Sequence, residues 1–240
     1  MSSTETKRTR TGARVPPDGP TLSYLGDLVD EGAIIGQPDS PSSRMRIRIL
    51  LTAIALFAER GYETCSMRTI ASAVGLRAPT LYNYYPSKEA LLVAAVDFGM
   101  DHFFGYVLKD VEQMPRGERL LEIARRHATY KLRHQIIARA NDRLIDPQFL
   151  KLFFSEQDRA HFGQRLDRYR YTIHDLVTDF VGVHDRVDPM FVTLAIMNQW
   201  DRAAYWFNPD GKRTLDETLE QILVLTFRLL NVDFAKGEER

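Results

Sequence analysis

From Arg77 to Lys88 the chain reads Arg-Ala-Pro-Thr-Leu-Tyr-Asn-Tyr-Tyr-Pro-Ser-Lys. On a helix this order turns Leu81 and Tyr85, four residues apart, inward, and leaves Arg77, Thr80, Asn83 and Tyr84 on the opposite face. Arginine can give two parallel hydrogen bonds to guanine; asparagine can do the same to adenine or reach a phosphate. Thr80 and Tyr82 offer hydroxyls, and Lys88 brings a cation to the start of a helix whose free N–H groups also favour phosphate. The chemistry these residues suit is the gripping and reading of double-stranded DNA. Arg44, Ser66, Arg68, Ala78 and Pro79 complete the candidate DNA-facing set. Tyr82, Tyr84 and Tyr85 also suit plain packing in a small helical domain.

Three short helices must hold that face in place. Leu50, Ala53, Ile54 and Phe57 recur at helical spacing after Ser42-Ser43, and Gly61 stops this first helix. Ser66 is a good N-cap for a second helix through Ile70, Ala71 and Val74, which ends at Gly75. The third runs from Arg77 to Tyr85, and two short helices joined by a glycine-containing turn are a helix-turn-helix pattern. Pro86-Ser87 breaks the chain before a long helix through Leu91, Leu92, Ala95 and Phe98.

Charge follows the same division. The 240-residue chain has formal net charge +0, but from Ser43 to Ala90 seven basic residues face three acidic ones, an excess of +4. Residues 91–240 carry 21 basic and 23 acidic side chains, a balance of −2. The positive excess therefore sits where phosphate must be neutralised. One cysteine, Cys65, excludes an intrachain disulfide and a zinc cluster of cysteines. The strongest apolar run, Ile49 to Ala58, is far shorter than a membrane span, so a cytoplasmic protein without a membrane partner is expected.

The stretch Leu56-Phe57-Ala58-Glu59-Arg60-Gly61-Tyr62, then Ser66-Met67-Arg68-Thr69-Ile70-Ala71, Val74-Gly75-Leu76 and Thr80 through Leu92 resembles the DNA-binding domain of the tetracycline-repressor (TetR) family. Glycines, caps, aromatics and the Pro-Ser-Lys-Glu helix start all fall at the family's separations. The resemblance implies phosphate-backbone contacts by Thr80, Tyr82, Tyr84 and Lys88, while base readers vary among members. It also implies a ligand-responsive regulator, most simply a repressor, acting as a homodimer. Two positions depart from the family pattern. Arg77 stands where a capping serine is usual, and Thr69 where an acid often completes a capping box with the residue at 66.

The expected fold is all-α in three parts: an arm over 1–42, a DNA-binding domain over 43–90 and a ligand-binding and dimerisation domain over 91–235. The arm is rich in proline, and its Lys7, Arg8, Arg10 and Arg14 are basic. Beyond residue 91, helical periodicity continues through about 118–140, 154–181, 188–207 and 214–232. The last two of these helices carry apolar stripes broad enough to bury against a partner as well as against their own domain; internal core helices of a monomer are the alternative, and the family resemblance implies a four-helix interface across a two-fold axis. Phe103, Phe104, Tyr130, His134, Phe154, Met197, Trp200 and Trp206 are the candidate walls of an effector pocket. Arg125, Arg126, His127, Arg133 and His134 concentrate cationic groups on one helix, which suits an anionic effector with an apolar body such as an acyl- or steroid-derived coenzyme A thioester. No cofactor, metal or catalytic residue is expected: the sequence has no Gly-rich phosphate loop, no His-Glu-x-x-His and no Gly-x-Ser-x-Gly. A helical enzyme, or an interaction adaptor without DNA binding, is the alternative class.

Overall fold

The computed structural model describes residues 40–181 and 187–230, and among them every regular element is helical. The basic residues of the arm lie outside the described residues. Ten α-helices follow one another: α1 (Pro41–Arg60), α2 (Met67–Ala73), α3 (Ala78–Tyr84), α4 (Lys88–Val107), α5 (Arg116–Arg133), α6 (Gln135–Leu144), α7 (Pro147–Phe153), α8 (Glu156–Val177), α9 (Pro189–Trp206) and α10 (Leu215–Leu229). A single 3₁₀ turn, Val111–Gln113, precedes α5.

Local chemistry sets most boundaries. Ser40 accepts the Ser43 backbone N–H and Pro41 opens α1, so this helix starts slightly before Ser43. Asp146 and Asp188 each cap a helix that begins with proline, where a missing N–H costs nothing. Thr214 and Glu217 form a reciprocal capping box at α10. The periodicity expected over 118–140 is broken at His134 into α5 and α6, and Ser155 starts α8 after the separate short helix α7. Neither break carries a proline or glycine, which is why spacing alone passes over the first.

Two cores result. The first joins Ile49, Ile54 and Phe57 of α1 to Ile70, Val74, Leu81, Tyr85 and Leu91, and continues into Ile137, Ala140 and Leu144 of α6. The second lies between α5, α8, α9 and α10, around Ile123, Ile173, Ile196, Trp200 and Leu223. Helix α1 packs most extensively on α6, and α5 touches both α9 and α10. By length and composition the stretch Lys88–Gln113 is apolar enough to cross a membrane. Its Leu91, Leu92, Ala95, Val96 and Met100 instead fill the first core, and it joins the two halves of the fold.

Candidate nucleic-acid interface and ligand cavity

The turn between α2 and α3 is built by the backbone. Leu76 N–H bonds to Ala71 C=O at 2.8 Å and Gly75 N–H to Ser72 C=O at 3.1 Å, with Gly75 at φ +74°. This paired closure needs the left-handed conformation that glycine adopts without steric cost. Gly61, by contrast, sits at φ 86° and ψ 145°, outside the left-handed helical well expected for it, while its N–H still closes on Phe57 C=O. Ser66 accepts the Thr69 N–H at 3.0 Å, which caps α2 without an acid at 69. Arg77 begins α3 with no side-chain cap, and Pro79 lies in the first turn.

Packing then sorts the faces. Leu81 is fully buried and Tyr85 nearly so, against Phe57, Ile70 and Val74. Arg77, Pro79, Thr80, Tyr82 and Asn83 are exposed and Ala78 is half-buried, so one turn and a half of α3 faces outward. Arg44, Ser66 and Arg68 are exposed on the neighbouring helices. Tyr84 departs from the expected outward position. It is half-buried against the first core, and Arg46 lies 5.4 Å above its ring while donating to its carbonyl. Lys88 places its ammonium 4.2 Å from the Tyr62 ring centre and 3.3 Å from Glu63 C=O, so it is held at the rim rather than waving in solvent. Ser87 caps α4 through the Ala90 N–H, and the helix start holds the Glu89 carboxyl below its ordinary range. Burial pushes the Cys65 thiol up, which disfavours the reactive thiolate.

A cavity of about 820 Å³ opens in the C-terminal half, within the range of small-molecule sites. Phe103, Phe104, Tyr130 and Met197 line it, as expected. The other four candidates do not. Trp200 is fully buried in the second core and donates its indole N–H to Thr226 at 2.9 Å. Phe154 belongs to the first core, His134 packs on Tyr130 and His102, and Trp206 is 57% exposed at the end of α9. A large aromatic ring carries no sequence mark that separates core from cavity wall.

The cationic helix is also redistributed. Arg125 and Arg126 pair with Glu122, and Arg125 and Arg133 are exposed; none of the three lines the cavity. From α5 it is His127 and Lys131 that face it, joined by Asp142 of α6 and Asp201 of α9. Lys131 Nζ lies 2.6 Å from Asp142 Oδ1 and 2.9 Å from Asp201 Oδ1. His127 Nε2 is 3.0 Å from Asp201 Oδ1 and its Nδ1 is 2.9 Å from Tyr169 Oη. Burial lowers the His127 pKa, the nearby ammonium and imidazole hold the Asp201 carboxyl far below its usual range against burial, and burial raises that of Asp142. This network was missed in the sequence because its members stand up to 74 residues apart.

Helices α9 and α10 turn Val192, Ile196, Ile222 and Phe227 inward and leave Phe191, Leu194, Leu225 and Leu229 exposed.

Two family models match the chain. Residues 49–95 match the model of bacterial regulatory proteins of the tetR family, and residues 113–230 the model of the tetracyclin repressor-like C-terminal domain. The transcriptional repressor KstR of Rhodococcus jostii is 40% identical over 67 residues, 27% of this chain and 32% of KstR. The negative transcriptional regulator IcaR of the biofilm operon icaADBC in Staphylococcus epidermidis is 29% identical over 201 residues, 80% of this chain and all of IcaR. The chain spans between 21% and 40% of the length of KstR and two further such regulators. Among solved structures, AibR in complex with isovaleryl coenzyme A and operator DNA superposes with a TM-score of 0.65 at 27% identity, over 76% of this chain and 98% of that one.

Proposed function

The chain belongs to the TetR family of bacterial transcriptional regulators, and from that premise we propose that it is a cytoplasmic repressor that binds a palindromic operator as a homodimer and is released by a small-molecule effector. The observation that carries the reading is the outward face of α3. Arg77, Thr80 and Asn83 stand exposed on a helix whose opposite side is fixed by buried Leu81, the geometry that lets a recognition helix enter the major groove. Arg44, Ser66, Arg68, Tyr82 and Lys88 surround it with donors for phosphate, and half-buried Tyr84 joins the set. The exposed apolar residues of α9 and α10 suit an isologous four-helix interface that sets two such helices a helical turn of DNA apart.

Residues 43–90 form the reading unit and 91–235 the sensing and pairing unit. The effector enters the cavity against Phe103, Phe104, Tyr130 and Met197. AibR's complex with isovaleryl coenzyme A supports a coenzyme A thioester as the effector class, although the basic cluster first invoked for it lies away from the cavity. Recognition and switching, without a chemical step, account for the residues on both faces. Ligand binding would bias the two-state angle of α4, which touches both cores.

A mobility-shift assay at stated salt with the DNA flanking the protein's own gene tests this. A retained complex in excess random DNA is expected, and equal binding to random DNA would remove the specific-regulator reading.

A further inference from the structure

At the floor of the cavity two carboxyl groups, Asp142 and Asp201, meet one ammonium, Lys131. Lys131, with 6% of its side chain exposed, is shared between Asp142 and Asp201, and burial keeps His127 neutral at pH 7. The hydrogen bonds and ion pairs of both aspartates fall on Oδ1, so among the described residues Oδ2 of Asp142 and Oδ2 of Asp201 accept no protein hydrogen bond. Both aspartates line the cavity, and 43% of the Asp201 side chain and 21% of the Asp142 side chain are accessible. The three arginines that line the cavity each have a partner other than these aspartates. Arg143 donates to Ala58 C=O at 2.7 Å, Arg170 pairs with Asp167, and Arg202 lies 5.3 Å over the Tyr205 ring.

We infer that the cavity takes an effector whose apolar body ends in a hydrogen-bond donor, a hydroxyl or a protonated amine, aimed at the free oxygens of Asp201 and Asp142. The inference rests on the effector-sensing reading of this half of the chain. A methyl or an ether oxygen placed there would strip water from a carboxylate and return nothing, whereas a donor replaces the lost hydrogen bonds. The walls accept an ammonium: Lys131 Nζ already lies 5.5 Å from the Phe103 ring centre. For a thioester effector, the donor falls on the acyl body, and a plain saturated acyl chain is the poorer ligand.

Octan-1-ol, octylammonium and 1-methoxyheptane have the same number of heavy atoms and differ in what the polar end donates. Titrated calorimetrically into the full chain, at least one donor should bind about tenfold more tightly than the ether, and the stronger of the two assigns the source. Asp201→Asn should shrink that advantage, with Asp142→Asn serving if the first variant does not fold. Equal affinity for all three probes overturns the inference, as does an advantage that survives both substitutions. So does failure of both donors to bind up to their solubility. Decanoyl coenzyme A in the same assay separates the two readings. If it fails where the alcohol or amine binds, the thioester falls and the donor site stands; donors that bind without releasing operator DNA overturn effector sensing instead.

Discussion

The reading head and the cavity are both helical, but they are held together on different length scales. In the head, caps and turns close within a few residues: Ser66 on Thr69, Ser87 on Ala90, Leu76 on Ala71. Around the cavity, Lys131 meets Asp142 across a helix junction, and His127 meets Tyr169 and Asp201, 42 and 74 residues away. The head's helix ends are satisfied locally, and its interior is an apolar core. The cavity instead keeps charge inside the protein, where each charge depends on a partner from another helix.

The sharpest way to break this comparison is to remove the shared cation. Lys131→Met leaves Asp142 and Asp201 without their ammonium, and loss of one partner from a buried pair costs about 3 kcal/mol. Urea unfolding monitored by tryptophan fluorescence would read the loss directly, since Trp200 and Trp206 both lie in the C-terminal half. An unfolding free energy within about 0.5 kcal/mol of the parent would mean that the network is solvated and contributes as little as a surface pair.

The corresponding break in the head is a backbone one. Gly75 at φ +74° has nothing within 4 Å of where a Cβ would stand, so Gly75→Ala introduces conformational strain and no clash. The expected cost is about 1–2 kcal/mol. Because the strain lies in the turn between α2 and α3, operator affinity should fall at temperatures where the chain remains folded. A variant with unchanged affinity would show that the turn angle does not control the reading face.

This difference in scale explains what could be read in advance. Ser66, Gly75, Ser87 and the Leu81/Tyr85 pair announce themselves by short spacing, so the three helices of the head and its outward face were legible. The pocket was legible only as a crowd of aromatics: Phe103, Phe104 and Tyr130 face the cavity while Trp200 and Phe154 fill cores, because which side of a fully apolar helix faces a void depends on where its neighbours stop. Asp142 and Asp201 look like ordinary helix-surface acids until three helices bring them to one ammonium. The break at His134 was hidden for a similar reason: α6 leaves α5 there to pack on α1, a tertiary contact that no local breaker marks.

Acid should separate the two regions next. All six histidines lie at or beyond His102, so none belongs to the head's three helices. Burial lowers the pKa of His127, and lowers that of His134 to about 4, from an ordinary 6.5. The unfolded chain therefore takes up these protons first as pH falls below 6.5, and stability drops progressively towards pH 4. Asp201, held low, adds a loss only below about pH 4, where the unfolded carboxyl protonates. Melting followed by tryptophan fluorescence should show Tm falling by roughly 3 °C or more between pH 7.5 and pH 5, with part of the slope removed in His134→Asn. A Tm independent of pH over that interval would contradict neutral, buried imidazoles.

The smallest effect is the most diagnostic for the head, because stability and function should move in opposite directions. Arg77 begins α3 without accepting any of its free N–H groups, and a guanidinium has no lone pair to offer them. Arg77→Ser supplies a hydroxyl that can, and a serine cap adds about 0.5–1 kcal/mol. If Arg77 were simply a tolerated imperfection, the better-capped helix would bind operator DNA as well as the parent or slightly better. If the exposed guanidinium reads a base, the same substitution should weaken operator binding by about tenfold and relax preference at one base position, even as the unfolding free energy rises. Lys88→Ala gives the reference for a phosphate contact, a loss spread evenly over all sequences with a shallower salt dependence. Measured together by anisotropy and urea unfolding, a variant that gains in both properties would show that the missing cap is a flaw in the helix, and that Arg77 takes no part in reading the operator.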